Sequence, residues 1–101
     1  MKKIITILFI SFLFGIDNDL LIKTTHAVKI GKYEEAITYI NKAENNNQKN
    51  PEFFRLKALI FEMLNEPYQA KKAWGKCLKY SKDKNMRHEA RIHIQNLSEK
   101  K

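Results

Sequence analysis

Apolar residues recur along this chain in short helical stripes separated by polar or turn-forming breaks, and the stripes predict five helices behind an apolar leader. The cleanest stripe lies in residues 31–43, GKYEEAITYINKA, where Tyr33, Ala36, Ile37, Ile40 and Ala43 stand at i, i+3, i+4, i+7 and i+10. Gly31 precedes it, at the place where a left-handed residue would end a helix over residues 20–30. Asp17-Asn18-Asp19 opens that first helix, because Asp and Asn accept bonds from the unpaired first amides. Residues 45–50, NNNQKN, hold no apolar side chain and read as a connecting turn, and Asn50-Pro51 then supplies a cap followed by a first-position proline. The third helix, to Leu64, is apolar around most of its circumference and is expected to be buried between neighbours. Asn65-Glu66-Pro67 repeats the stop and restart. A fourth helix runs to about Tyr80 with Ala70, Ala73, Trp74, Cys77 and Leu78 inward. Ser81-Lys82-Asp83 breaks it and caps a fifth, whose Met86, Ala90, His93, Ile94 and Leu97 share one face. The fold class expected is all-α.

The stripes also repeat. Ala36 and Ala70 lie 34 residues apart, and the same step takes Leu20 to Phe54, Ile40 to Trp74 and Lys42 to Lys76. Two helices per unit at such a period predict a helical repeat array, which is a binding scaffold more than an active site. The residues resemble the tetratricopeptide repeat family. Gly31, Tyr33, Ala36, Ile40 and Ala43 match the second half of that family's pattern, and Phe54, Ala58, Phe61, Ala70, Trp74 and Cys77 match its alternation of large and small positions. The resemblance covers residues 20–80 as two repeats, 20–50 and 51–80, with 81–101 as a capping helix and basic tail. Lys23 and Thr24 depart from it where the family favours leucine and glycine. Gln48 replaces an expected proline, Asn65 replaces a turn glycine, and Gly75 lies inside a helix, where it suggests close approach of a neighbour. What the resemblance implies is a right-handed array of antiparallel helix pairs that binds a protein partner in a concave groove. Carried onto this chain, the groove residues are Leu21, Thr25, Val28 and Lys29, then Glu52, Arg55, Leu59, Glu62 and Met63. The ordered Lys/Asn set with which some members hold the terminal carboxylate of a chaperone tail is not present, so that ligand is not expected.

Length and charge refine this picture. Of 101 residues, about 80 remain beyond the leader, and a domain so small buries only about 60% of its unfolded surface. Partner binding or self-association would add to its stability. The net charge of +8 is uneven: residues 71–101 carry ten Lys/Arg against three acids, while residues 20–69 carry seven against six. Lys72, Lys76 and Lys79 share one face of the fourth helix, without interleaved exposed aromatics for stacking on bases. Their bland reading is a solvated outer face. Their functional reading is an electrostatic site for an acidic protein or lipid headgroups, with nucleic acid disfavoured.

Met1-Lys2-Lys3 followed by the uncharged residues 4–16, IITILFISFLFGI, resembles a bacterial secretory signal, and residues 1–19 are assigned to a signal peptide or membrane anchor. At ~1.5 Å per residue the run spans roughly 20 Å, short of the ~30 Å hydrocarbon core. The nearest small-residue cleavage triplet, Thr25-His26-Ala27, lies inside the first repeat. An ordinary apolar helix packed on the repeats is the competing interpretation. The expected location is exported, periplasmic or anchored at the inner membrane of a bacterium, with a cytoplasmic protein as the alternative.

No constellation predicts catalysis or a cofactor. His88 and His93 are roughly 140° apart around a helix, not the i, i+4 spacing of a helical metal pair. Cys77 has no CxxC partner, lies on an inward face, and reads as a small packed side chain. Glu34 and Glu35 sit near a helix start, where negative charge is favourable. A non-catalytic binding protein without metal or cofactor is therefore expected.

Overall fold

The computed structural model describes residues 18–99. The apolar run at 4–16, and with it the export or anchor expectation, lies outside the described residues. Five α-helices follow in order: α1 (Asn18–Lys29), α2 (Tyr33–Ala43), α3 (Pro51–Met63), α4 (Pro67–Tyr80) and α5 (Lys84–Glu99). Among the described residues there is no strand, and no helix is long and apolar enough to cross a membrane. The all-helical expectation is correct.

The helix ends follow from local chemistry. α1 begins at Asn18 rather than 20, which takes the last two residues of the assigned leader into the folded part. Asp19 in its first turn meets the positive end of the helix dipole and pairs with Lys23 at 3.1 Å. Gly31 ends α1 with φ +79°. Its N–H donates to the Val28 carbonyl at 3.1 Å and the Lys32 N–H to the Ala27 carbonyl at 2.8 Å, a Schellman closure. The same closure recurs after α3. Asn65 adopts φ +58°, its N–H donates to the Glu62 carbonyl at 3.0 Å, and the Glu66 N–H donates to the Phe61 carbonyl at 2.9 Å. Asparagine serves here because its short polar side chain tolerates the left-handed region.

The polar turn between α2 and α3 is more structured than its composition suggests. Glu44–Asn46 form a 3-10 turn, and Asn47 is buried. The Asn47 amide donates to the Ala43 carbonyl at 2.7 Å, and its oxygen accepts from the Asn50 amide at 3.1 Å. The Asn50 side chain in turn accepts from the backbone N–H groups of Glu52 and Phe53, so α3 starts on a capped end with Pro51 at its first position. At the far end of the chain Asp83 caps α5 through the Met86 N–H at 2.9 Å. Arg87 reaches back from α5 to the carbonyl of Leu78 in the last turn of α4, where the helix leaves carbonyls unpaired, and to that of Ser81 just past its end.

Successive helices pack on one another, α3 most extensively against α4 and α4 next against α5. Trp74, Phe53, Phe54, Ile40 and Ile60 are the largest wholly buried side chains. Phe53 and Phe54 meet edge to face with ring centres 5.1 Å apart. Thr24, out of pattern in the sequence, is buried, and its hydroxyl donates to the Leu20 carbonyl at 2.7 Å. It thereby fills a small-residue position without leaving a bare polar group. Gly75 does not mark a close approach. A Cβ placed there would meet nothing within 4 Å, so the packing explanation for this glycine is wrong.

Candidate functional site

The residues expected to line a groove fall into three states. Leu21 is 4% exposed and belongs to the core, so it is not available to a partner. It lies on the inward face of α1 with Thr24 and Ala27, and that face packs within the helix stack. Thr25, Val28 and Leu59 are half-buried, Lys29 is exposed, and Met63 is 50% exposed. The Thr25 hydroxyl is turned onto its own helix, donating to the carbonyls of Leu21 at 2.9 Å and Ile22 at 3.0 Å.

Of the three charged groove positions expected on α3, Arg55 and Glu62 are bonded to other helices, and Glu52 is half-buried. The Arg55 guanidinium donates to Glu89 of α5 at 2.9 Å, and that bond holds its pKa above the ordinary value. Partial burial raises the Glu52 carboxyl, with Arg55 opposing the effect. The Glu62 carboxylate accepts from the Trp74 indole N–H at 2.6 Å and lies 2.7 Å from Nδ1 of His93. His93 also stacks on the Trp74 ring with centres 4.3 Å apart. A bond from Arg55 to Glu89 spans 34 residues and one from Glu62 to His93 spans 31, so spacing along a single helix gives no signal for either. Part of the groove implied by the resemblance is thus occupied by contacts to α5.

The lysine face of α4 is open. Lys72, Lys76 and Lys79 are all exposed, and each ammonium lies over an aromatic ring: Lys72 over Tyr68 at 5.7 Å, Lys76 over Phe54 at 5.2 Å and Lys79 over Tyr80 at 5.3 Å. Tyr68 is 71% exposed, which corrects the expectation that this face carries no exposed aromatic. Its place was readable. It lies two residues from the inward Ala70, roughly 200° around the helix, and one turn before Lys72.

Beside this face an open cleft of about 160 Å³ is lined by Glu44, Phe54, Lys57, Gln69, Lys72 and Lys76. Glu44, just past α2, forms an ion pair with Lys57 of α3, and its second oxygen lies 3.8 Å from Lys76 of α4. Lys72 makes no ion pair among the described residues. Glu44 and Lys57 were not singled out as candidates from the sequence, because their meeting depends on how α2 docks against α3.

The remaining reactive side chains are one buried thiol and two exposed imidazoles. Cys77 is wholly buried, and burial pushes its thiol up to about 11, which keeps the sulfur protonated. His26 and His88 are exposed. No protein-family model matches the chain, and comparison with curated proteins and with solved structures likewise returned no match.

Proposed function

We propose that this chain is a non-catalytic scaffold for a protein partner, built from two tetratricopeptide-like helix pairs closed by α5, and exported or anchored at a bacterial envelope through its apolar leader. The observation that carries the reading is a repeated backbone event. Gly31 and Asn65, 34 residues apart, are the two positions with positive φ among the described residues, and both close their helices with the same pair of hydrogen bonds. Positions at the same step share burial: Thr24 with Ala58, Ala36 with Ala70, Ile40 with Trp74 and Ala43 with Cys77 are all buried. Two copies of one helix pair, each hiding equivalent small and large residues, favour a stacked array whose first helices offer a shared surface.

On that reading, partner contact falls to the residues of α1 and α3 that remain accessible, Thr25, Val28, Lys29, Leu59 and Met63, joined by Ile22, which is 62% exposed. Arg55 and Glu62 serve the closure by α5 instead. The experiment is affinity capture with the native full-length chain, comparing wild type with a Lys29→Glu, Met63→Glu double variant. Both side chains are accessible, so circular dichroism should be unchanged while capture of the partner falls. Undiminished capture by the folded variant would remove the groove assignment.

A second reading, an electrostatic binder of an anionic partner through α4, draws support from Lys72, Lys76 and Lys79 together with exposed Tyr68. Its mark is binding that weakens steeply as salt rises.

A further inference from the structure

We infer that the cleft between the end of α2, α3 and α4 is a docking site for an acidic peptide segment of a protein partner, with Glu44 already showing how it takes a carboxylate. The inference rests on the scaffold reading and places the charged part of the recognition away from the groove. Lys57 is two residues from both Arg55 and Leu59, roughly 200° around α3, so it faces away from them.

Three ammonium groups, Lys57, Lys72 and Lys76, meet one carboxylate, Glu44, which leaves the cleft two positive charges in excess. Glu44 lies between Lys57 and Lys76, a built instance of one carboxylate bridging two lysines from different helices. Its pair with Lys57 is close. Its approach to Lys76 is long, at 3.8 Å, and Lys76 is half exposed. Lys72 has the Tyr68 ring and no carboxylate among the described residues. A second carboxylate set between Lys72 and Lys76 would complete the pattern that Glu44 begins.

The surroundings favour the same ligand. α4 contains no acidic residue, so nothing on that helix repels an incoming anion. Phe54 lies at the base of the cleft beneath Lys76, and a low-dielectric wall beside like charges concentrates their field. The Gln69 side chain adds an amide able both to donate to and accept from a peptide backbone. A small cleft of about 160 Å³ suits individual carboxylate side chains better than a phosphate polymer or a flat membrane surface.

The test is titration of the folded full-length chain with hexaglutamate at low salt, followed by amide chemical shifts and by calorimetry. Parallel arms use inorganic phosphate, mixed-sequence single-stranded DNA, and vesicles of phosphatidylglycerol with phosphatidylcholine. The expected result is shifts centred on Glu44, Lys57, Gln69, Lys72 and Lys76, and affinity reduced about tenfold by Lys72→Gln. Lys72 is exposed and makes no ion pair among the described residues, so that variant should keep its fold. Lys84→Gln, an equal change of charge on α5, should have little effect. Glu44→Gln should tighten hexaglutamate binding by releasing Lys76, whereas Glu34→Gln should not.

Equal losses from Lys72→Gln and Lys84→Gln would mean diffuse attraction and would overturn the cleft. Shifts on α1 and Met63 would overturn the cleft and leave the scaffold reading standing. Tight binding to vesicles or DNA with none to hexaglutamate would overturn both in favour of an anionic-surface binder. Absence of binding to any probe would overturn the cleft alone, because the groove variants test the scaffold independently.

Discussion

Gly75 stands in the middle of α4 with open space where a side chain would begin, so the residue brings the conformational freedom of glycine to a helix interior without a packing gain. Gly75→Ala should therefore stabilise the protein by roughly 0.5–1 kcal/mol, visible as a higher urea midpoint at unchanged m-value. Gly31 also has open space around it, yet its φ of +79° reverses the sign: Gly31→Ala should destabilise by about 1 kcal/mol. A thermal melt of the two alanine variants separates the cases, and a loss of stability in Gly75→Ala would show that the helix needs its glycine. The contrast marks a limit of the sequence. The turn chemistry at Gly31 announces itself through Asn and Gly placement at helix ends, whereas what faces the middle of a helix depends on its neighbours. Cys77 gives a residue-scale prediction in pH. Burial raises its thiol from 9.0 to about 11, so between those values the folded chain keeps a proton that the unfolded chain releases. The unfolded state then binds fewer protons, and stability falls as pH rises. This contribution is complete below pH 9 and declines from pH 9 toward 11. Denaturant midpoints measured across that window should fall less steeply in Cys77→Ala than in wild type, and parallel slopes would sink the assignment.

At the scale of the elements, α5 is held by specific bonds as well as by its apolar stripe. Its face of Met86, Ala90, His93, Ile94 and Leu97 was legible from spacing alone, since a final helix must bury one side and solvate the other. Its partners were not. Glu62 looks like a groove residue along the sequence, but α5 brings His93 beside it, and the packing of α4 points the Trp74 indole N–H at the same carboxylate. Trp74 is wholly buried, so removing its acceptor strands a donor, which costs about 1–3 kcal/mol. Glu62→Ala should lose stability in that range. Glu62→Gln, which keeps an oxygen for the indole, should lose less than half as much. Trp74 fluorescence during urea unfolding reports both. Equal losses would assign the effect to charge or packing rather than to the hydrogen bond. The same reasoning bears on the interaction surface, because a variant made at Glu62 or Arg55 to test partner binding would disturb the closure by α5 first.

Across the whole molecule the packing is unevenly shared. Phe53, Phe54, Ile60, Trp74 and Cys77, most of the large wholly buried side chains, lie in α3 and α4, and α5 adds the Arg55–Glu89 and Glu62–His93 contacts to that half. The first pair, α1 and α2, contributes Ile40 and Thr24 to the same set, and the α2–α3 junction is thinner than the contacts within either pair. In a stacked array each unit draws stability mainly from its own interior and from its neighbour, so a thin junction lets one unit open while the other holds. On the proposed repeat reading, the 34-residue step marks two units in the sequence but treats them as equals. Their inequality comes from which residues fill the shared positions: Trp74 stands where the first unit has Ile40, and Phe54 where it has Leu20. Native-state hydrogen exchange should therefore find the amides of α1 and α2 opening at a free energy at least roughly 1 kcal/mol below those of α3 and α4. A ligand that bridges α1 and α3 would narrow that gap, since it stabilises the junction it spans. Hexaglutamate in the cleft, touching α3, α4 and the turn after α2, should protect the α2 end more than α1. Uniform protection in the free protein would show one cooperative unit, and the helix pairs could then not act as separable repeats.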